Sequence, residues 1–354
     1  MNALLIPIYE PTDRVLPFLK QFKQEEFDVF VVVDDGSGEK YQEIFAAVEK
    51  ETVFSVISYP ENHGKGHALK TGMRYLVEHY PDLDHIITAD GDGQHRHDDI
   101  IRVASRAKEA GSAVVLGARD FRKAPPKSAS GNKWSARYFH LASGVKITDC
   151  QTGLRAIPKE AFDLALYTYG ERFDYEMNFL LPASREFGLD EVIIETIYED
   201  ENKGTHFRPV KDSLLIMRTP ILYILIGILC FTLDLVAFHL LRTLVFTDAQ
   251  TNALSLLYCH LIPFLPIFFL DYILLSKVVF HHKGAFHQAF YKFFVLSLTS
   301  MLTVFLFVWG MSFATGLLTL MKALIGIVFG CFKYMLNLMV TFANRKFGNR
   351  KRLH

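Results

Sequence analysis

Asp90-Gly91-Asp92 follows the apolar run His85-Ile86-Ile87-Thr88-Ala89, which places two carboxylates one residue apart at the end of a strand. Open α/β sheets bind their ligands at that edge. Carboxylates at this spacing, with a glycine between them to let the backbone turn, can hold a hard divalent cation, Mg2+ or Mn2+, against the diphosphate of a nucleotide-sugar. That is glycosyl-transfer chemistry. An Asp-x-Asp alone is common in loops, so its weight comes from its neighbours. His95 and His97 stand close by, but these cations prefer oxygen ligands, and packing or solvent roles suit both histidines better.

A sugar leaves a nucleoside diphosphate when the charge developing on the leaving phosphate is neutralised. A hydroxyl acceptor also requires a general base. A phosphate monoester is already anionic at neutral pH and needs cations to hold and orient it. Arg119, Arg137 and Arg155 suit that role, because a guanidinium binds phosphate bidentately and stays charged. A surface ion pair is the alternative for each of them.

The elements that must position these residues follow a repeating order. Ala3-Leu4-Leu5-Ile6-Pro7-Ile8-Tyr9 reads as a first strand, followed by a turn at Glu10-Pro11-Thr12-Asp13 and the helical period Val15, Leu16, Leu19, Phe22. Val29-Phe30-Val31-Val32-Val33 is apolar on both faces, as a central parallel strand must be, and runs into Asp34-Asp35-Gly36-Ser37. Phe54-Ser55-Val56-Ile57-Ser58 leads into Asn62-His63-Gly64-Lys65-Gly66-His67 and a helix over 68–79. A doubly wound fold gathers such loops at the carboxyl edge of its sheet, so Asp34, Asp35, Lys65, Asp90 and Asp92 are expected to converge. The stretch His63-Gly64-Lys65-Gly66 lacks the P-loop spacing, and no Gly-x-Gly-x-x-Gly follows the first strand. Lys65 is therefore read as a contact to the nucleotide or its phosphates, the alternative being a turn that caps the next helix.

These residues resemble the family 2 glycosyltransferases of the GT-A fold, and within them the polyprenyl-phosphate sugar synthases related to dolichyl-phosphate mannose synthase. The resemblance covers residues 2–213. Its markers are Ile6-Pro7-Ile8-Tyr9, Val33-Asp34-Asp35-Gly36-Ser37, Asn62-His63-Gly64-Lys65-Gly66, Asp90-Gly91-Asp92-Gly93-Gln94-His95, Leu116-Gly117-Ala118-Arg119 and Asp149-Cys150-Gln151-Thr152-Gly153-Leu154-Arg155. It implies that Pro7, Tyr9, Asp34, Asp35 and Lys65 line the nucleotide, with Asp35 on the base or ribose. Asp90, Asp92 and Gln94 would surround the metal and diphosphate, and Gln151 and Arg155 would complete the donor site. Arg119 and Arg137 match positions that hold the lipid phosphate. Lys203, in a basic glycine-containing loop, is assigned to the diphosphate. The Gln-x-x-Arg-Trp motif of processive polysaccharide synthases is missing, which points to a single transfer, and the resemblance implies inversion at the anomeric carbon.

Ahead of an apolar helix, Asp174 and Glu176 read as helix caps, with recognition of a sugar hydroxyl as the alternative. The polar loop 123–133, with Pro125-Pro126 and Gly131, is either a segment that orders over the donor or lipid head or a surface connection. The four cysteines form no metal or redox pattern, and no cleavable signal peptide is expected.

After Ser213 the composition changes. Residues 220–241 form an apolar run long enough to cross a bilayer core of roughly 30 Å. Asp234 would cost about 3 kcal/mol at its centre, against about 4 to 8 returned by Leu, Ile, Phe and Val. Further spans are read at 253–279, 290–313 and 317–342. Arg208, Lys211 and Arg218 precede the first span; Lys277, Lys283 and Lys292 flank the second connection; Arg345, Lys346, Arg350, Lys351 and Arg352 follow the fourth. By the positive-inside rule both termini and the catalytic domain are cytoplasmic. The formal net charge of zero over 354 residues conceals this asymmetry, and no nucleic-acid partner is expected. Asp234, His239, His260, Asp271 and Lys333 are costly within spans and point to partners or a cavity.

The fold expected is an α/β GT-A (Rossmann-like) catalytic domain over 1–213, an all-α transmembrane domain of four helices over 214–344, which resembles the GtrA-like membrane module, and a basic tail over 345–354. The function expected is transfer of one sugar to polyprenyl phosphate at the cytoplasmic membrane for cell-envelope glycan modification, from UDP-glucose or UDP-N-acetylglucosamine ahead of GDP-mannose. The rivals are transfer to a lipid hydroxyl, and a sugar-lipid transport protein whose soluble half only binds. Membrane lipids are partners, and homo-oligomerisation stays open.

Overall fold

The computed structural model describes residues 1–121, 126–195, 218–279, 286–312 and 318–336. The chain divides between Ile216 and Met217 into two compact units.

The first unit is built on a seven-stranded mixed sheet. In chain order its elements are β1 (Asn2–Ile8), α1 (Val15–Leu19), β2 (Val29–Asp34), α2 (Gln42–Glu51), β3 (Ser55–Ser58), α3 (Lys65–His79), β4 (His85–Thr88), α4 (His97–Glu109), β5 (Val114–Arg119), α5 (Pro126–Ser143), β6 (Arg155–Pro158), α6 (Phe162–Tyr167), α7 (Asp174–Glu186) and β7 (Leu189–Ile194). The strand order is β3-β2-β1-β4-β6-β5-β7, with β6 antiparallel to both β4 and β5 and the other pairings parallel. This is the α/β GT-A architecture that the resemblance to family 2 glycosyltransferases implies, and its strands and helices alternate as the sequence predicts.

Side chains alternate across the sheet with a period of two, so each strand feeds two cores. Leu5, Val31 and Val33 pack with Leu69, Met73 and Leu76 of α3 on one face. Leu4, Ile6 and Val32 pack with Phe18, Phe45, Val48, Ile100 and Val103 on the other. Burial on both faces explains the unbroken apolar run of β2. The parallel register pairs Ile8 with Asp34 and Leu5 with Thr88, so β1, β2 and β4 deliver their following loops to one edge. β5 runs in the same direction as β4 and brings Arg119 to that edge.

Two expectations are corrected. Helix α3 begins at Lys65, ahead of the expected 68. Residues 126–133 belong to α5 and not to a loop. Pro126 opens that helix, where a missing N–H costs nothing.

The second unit is all α: α8 (Arg218–Leu240), α9 (Ala253–Leu274), α10 (Phe286–Ser312) and α11 (Leu318–Leu336). Among the described residues, three helical stretches are long and apolar enough to cross a membrane: Ile221–Val245, Ala253–Val278 and Phe290–Gly310. Among the described residues the apolar stretch of α11 covers Leu318–Gly330. The rest of the expected fourth span, 337–342, lies outside the described residues, as do Lys283 and the tail 345–354. Asn252 caps α9, its side chain accepting from the amides of Leu254 and Ser255.

Lys333 meets Asp271 at 3.1 Å, so two of the ionisable residues singled out in the sequence partner each other. Asp234 pairs instead with Lys322 at 2.8 Å, a lysine the sequence reading passes over. The Lys322 ammonium also sits 4.3 Å from the Phe238 ring centre.

Candidate active site

The turn after β4 carries the acidic motif. A Cβ on Gly91 would lie 2.6 Å from Ile8 Cγ1, so the glycine is needed for close approach to the end of β1, and the left-handed turn itself is made by Gly93 (φ 75). Asp90 projects against Gly153, where a Cβ would come within 2.1 Å of its Oδ1. The Thr88 hydroxyl donates to the Gly153 carbonyl at 2.9 Å, and Thr152 donates to the Gly117 carbonyl at 2.6 Å. The segment Gln151-Thr152-Gly153 is thereby strapped beneath β4 and β5.

Lys65, the first residue of α3, reaches Asp90 Oδ1 at 2.5 Å and Glu176 Oε1 at 2.6 Å. The other Asp90 oxygen faces His95 Nε2 at 3.3 Å. Burial works to raise the Asp90 carboxyl, but the Lys65 charge and the His95 contact outweigh it and hold the group well below the carboxylate range. Burial likewise works to lower Lys65, and the charges of Asp90 and Glu176 overcome it to raise the ammonium. Asp92 is pushed the other way, upward, by burial and by the negative charge of Asp90. Its Oδ1 accepts from the Gln94 amide at 3.0 Å.

Asp35 is turned inward, 3% exposed. Its carboxylate accepts from the Tyr59 hydroxyl (2.6 Å), the Asn62 amide group (3.0 Å), and the backbone N–H groups of His63 (3.0 Å) and Gly64 (2.9 Å). It therefore satisfies donors at the start of α3, which a helix cannot satisfy internally. The expected contact with base or ribose falls on a carboxylate already engaged by four groups. Asp34 accepts from the Ser37 N–H at 2.9 Å and shapes the turn after β2. Tyr9 stands half-buried past the buried Pro7, and burial together with Glu10 raises its hydroxyl.

Arg155 lies in the interior. It is 3% exposed, and its guanidinium donates to the carbonyls of Thr152 (2.9 Å), Glu176 (3.0 Å) and Cys150 (3.4 Å). A guanidinium so engaged acts as an internal strut between these segments. Arg119 is held by Asp149, from Nε at 2.6 Å and from Nη2 at 3.0 Å. Asp149 also accepts from the Gln151 N–H at 3.1 Å. The Gln151 side chain donates to Ser135 of α5 at 3.3 Å, and Asn132 donates to the Thr148 carbonyl at 2.6 Å, so α5 is pinned to this loop. Arg137 is exposed on the same helix. Lys203 lies outside the described residues.

The pairings of Glu176 with Lys65 and of Asp149 with Arg119 are what sequence reasoning missed. Glu176 reads locally as a helix cap, because nothing near it in sequence announces Lys65, 111 positions away. Asp149 does stand in a quoted motif, but its pairing with Arg119 depends on the crossover to β6. His97 packs on Phe22 and meets Glu26 at 3.0 Å, in keeping with a structural role.

Among the described residues, no group of three or more His, Cys, Asp and Glu side chains is arranged to hold a metal alone. Mg2+ and Mn2+ sites, however, take one or two carboxylates and complete the shell with substrate phosphates and water. Asp90 and Asp92 fit that pattern.

The profile of glycosyl transferase family 2 matches residues 4–164. An uncharacterized protein of Methanocaldococcus jannaschii is 31% identical over 212 residues, 57% of this chain and 85% of that protein. The UDP-N-acetylglucosamine–dolichyl-phosphate N-acetylglucosaminyltransferase of Methanococcus voltae is 28% identical over 225 residues, 57% of this chain and 89% of that protein. Glucosyl-3-phosphoglycerate synthase from Mycobacterium tuberculosis, solved in complex with phosphoglyceric acid, aligns with a TM-score of 0.47 at 16% identity over 63% of this chain and 77% of that one. With the family 2 match over residues 4–164 and the Methanocaldococcus jannaschii relative covered over 85% of its length, the chain belongs to glycosyltransferase family 2.

Proposed function

We propose that this chain transfers one sugar from a nucleotide-sugar to polyprenyl phosphate at the cytoplasmic face of a membrane. UDP-glucose and UDP-N-acetylglucosamine are the leading donors, ahead of GDP-mannose. The observation that carries the reading is the arrival at one sheet edge of Asp90 and Asp92 after β4 and of Arg119, oriented by Asp149, at the end of β5. The Methanococcus voltae relative, named for UDP-N-acetylglucosamine and dolichyl phosphate, supports both substrate classes.

When bound, Mg2+ or Mn2+ would supply charge neutralisation to the leaving diphosphate, held by Asp90 and Asp92 with Gln94 beside them. Arg119 presents a fixed guanidinium plane to the acceptor phosphate, with Arg137 on α5 as its partner in that task. An acceptor oxygen forms a bond to the anomeric carbon as the bond from that carbon to the diphosphate oxygen breaks, and the electron pair leaves with the nucleoside diphosphate. A single displacement of this kind inverts the anomeric centre. Glu176 and Asp90 are both paired with Lys65, which favours an acceptor that needs no base over a lipid hydroxyl.

The second unit, read as a GtrA-like module, would keep the enzyme beside its lipid substrate. Product analysis with radiolabelled nucleotide-sugars, offered polyprenyl phosphate and the matching polyprenol in parallel, tests the reading. Label in the lipid-phosphate product alone is expected. Equal use of the alcohol would replace it with the hydroxyl transferase, and no transfer to either would favour the binding-only transport protein.

A further inference from the structure

Both oxygens of Asp90 already have partners inside the protein. Lys65 Nζ lies 2.5 Å from Oδ1, and His95 Nε2 lies 3.3 Å from Oδ2. A divalent cation that approaches Asp90 therefore meets an ammonium in the place it would take, at a site where burial strengthens the repulsion. Nor can the ammonium drift off into solvent. Its second anchor, Glu176, is 6% exposed in the first turn of α7, and Arg155 fixes that turn by donating to the Glu176 carbonyl.

Lys65 is also the first residue of α3. The start of a helix disfavours a cation and favours an anion, through its unpaired N–H groups and its dipole. The arrangement is at odds with local electrostatics until an anion arrives. A long flexible stem lets a lysine follow such an anion over a few ångströms while keeping its charge.

We propose that Lys65 is the resident counter-ion of Asp90 in the donor-free protein, kept in place by Glu176, and that it passes to the donor diphosphate on binding. Cation and nucleotide then bind as a coupled pair. Glu176 is a positioning residue: it retains the ammonium within reach of both anions. The inference rests on the metal-assisted nucleotide-sugar reading above. Its signature is a coupling factor, the ratio of the Mn2+ dissociation constants measured without and with nucleotide.

The experiment is Mn2+ titration followed by electron paramagnetic resonance on the full-length protein in detergent, alone and with saturating UDP or GDP. Lys65→Gln keeps hydrogen-bonding capacity but removes the charge. It should raise the Mn2+ affinity of the nucleotide-free protein about tenfold or more, and lower the coupling factor by a similar amount. Glu176→Gln, which leaves the ammonium to Asp90 alone, should weaken nucleotide-free Mn2+ binding. Lys108→Gln, at an exposed position, controls for net charge and should change neither. Wild-type coupling that survives Lys65→Gln unchanged would overturn the inference and leave the metal-assisted reading intact. A wild-type protein that binds no Mn2+ with either nucleotide would remove both.

Discussion

Arg119 and Asp149 form a two-pronged pair in which the carboxylate is fully buried while the guanidinium remains 25% exposed. The arginine proposed to meet the acceptor is therefore also part of the fold's internal charge balance. Arg119→Ala would strand a buried carboxylate, a change that costs about 3 kcal/mol or more. A lowered melting temperature is expected together with loss of acceptor use. Arg119→Lys should recover much of the stability and little of the turnover, because a point charge cannot reproduce the fork. Thermal unfolding and acceptor kinetics on the same preparations separate the two effects. If Arg119→Ala left both unchanged, the pair would have no role in either.

Asp92→Asn should nearly abolish transfer while leaving the fold at least as stable near neutral pH. Burial and Asp90 raise the Asp92 carboxyl, so the folded state favours its protonated form. A raised folded value contributes stability that is present below the unfolded value and is lost as pH rises through the folded one. At neutral pH the wild-type carboxylate thus works against folding, and the neutral amide does not. EDTA should abolish transfer by the unmutated enzyme. Melting curves across pH 4 to 8, as about the range of interest, together with turnover, decide the matter; full activity in EDTA would remove the cation from the mechanism.

Arg155 donates to the carbonyls of Thr152, Cys150 and Glu176, and Arg155→Met removes all three bonds from a buried site. Unsatisfied buried acceptors cost about 1 to 3 kcal/mol each, so this variant should unfold far more readily than Arg137→Ala, which removes an exposed side chain. Arg137→Ala should instead weaken acceptor use about tenfold with donor affinity unchanged. Urea denaturation followed by circular dichroism, with donor titration alongside, gives both comparisons.

The orientation proposed for the second unit places the connection between α8 and α9 outside and the sheet domain inside. In a background without native cysteines, Gln250→Cys should react with an impermeant thiol reagent in intact cells, and Lys50→Cys should react only after lysis. The reverse pattern would separate the sheet domain from cytoplasmic nucleotide-sugars.

What could be read from the sequence was local. The run Val29-Phe30-Val31-Val32-Val33 announces a strand buried on two faces, and the residues after β2, β3 and β4 converge because parallel strands all point one way. The antiparallel insertion of β6 between β4 and β5 leaves no periodic mark, since its four residues, Arg155-Ala156-Ile157-Pro158, include a charge and a proline and are buried all the same. Helix α5 was hidden by its composition: Pro125-Pro126, two serines and Gly131 look like a loop when considered apart from the contacts of Asn132 and Ser135. In the site, residue types were legible and partnerships were not. Asp35 belongs to a ligand-binding motif by sequence, but its partners at Tyr59, Asn62, His63 and Gly64 appear only when β3 is laid beside β2. The Lys65–Glu176 contact joins the start of one helix to the first turn of another through the fold alone.

The two lysines of α11 bear on how the chain enters its bilayer. Lys322 and Lys333 find their counter-charges on α8 and α9, through Asp234 and Asp271. A helix with two ammonium groups partitions poorly by itself, since each lysine is costly at membrane depth. The earlier helices carry the matching carboxylates, so α11 becomes compatible with lipid only once they are there to receive it. Insertion and folding of the second unit are then one event at this helix: synthesis must reach α11 before Asp234 and Asp271 are neutralised, and a chain that stops short presents two unmatched acids to the membrane, a defect that quality-control proteases can recognise.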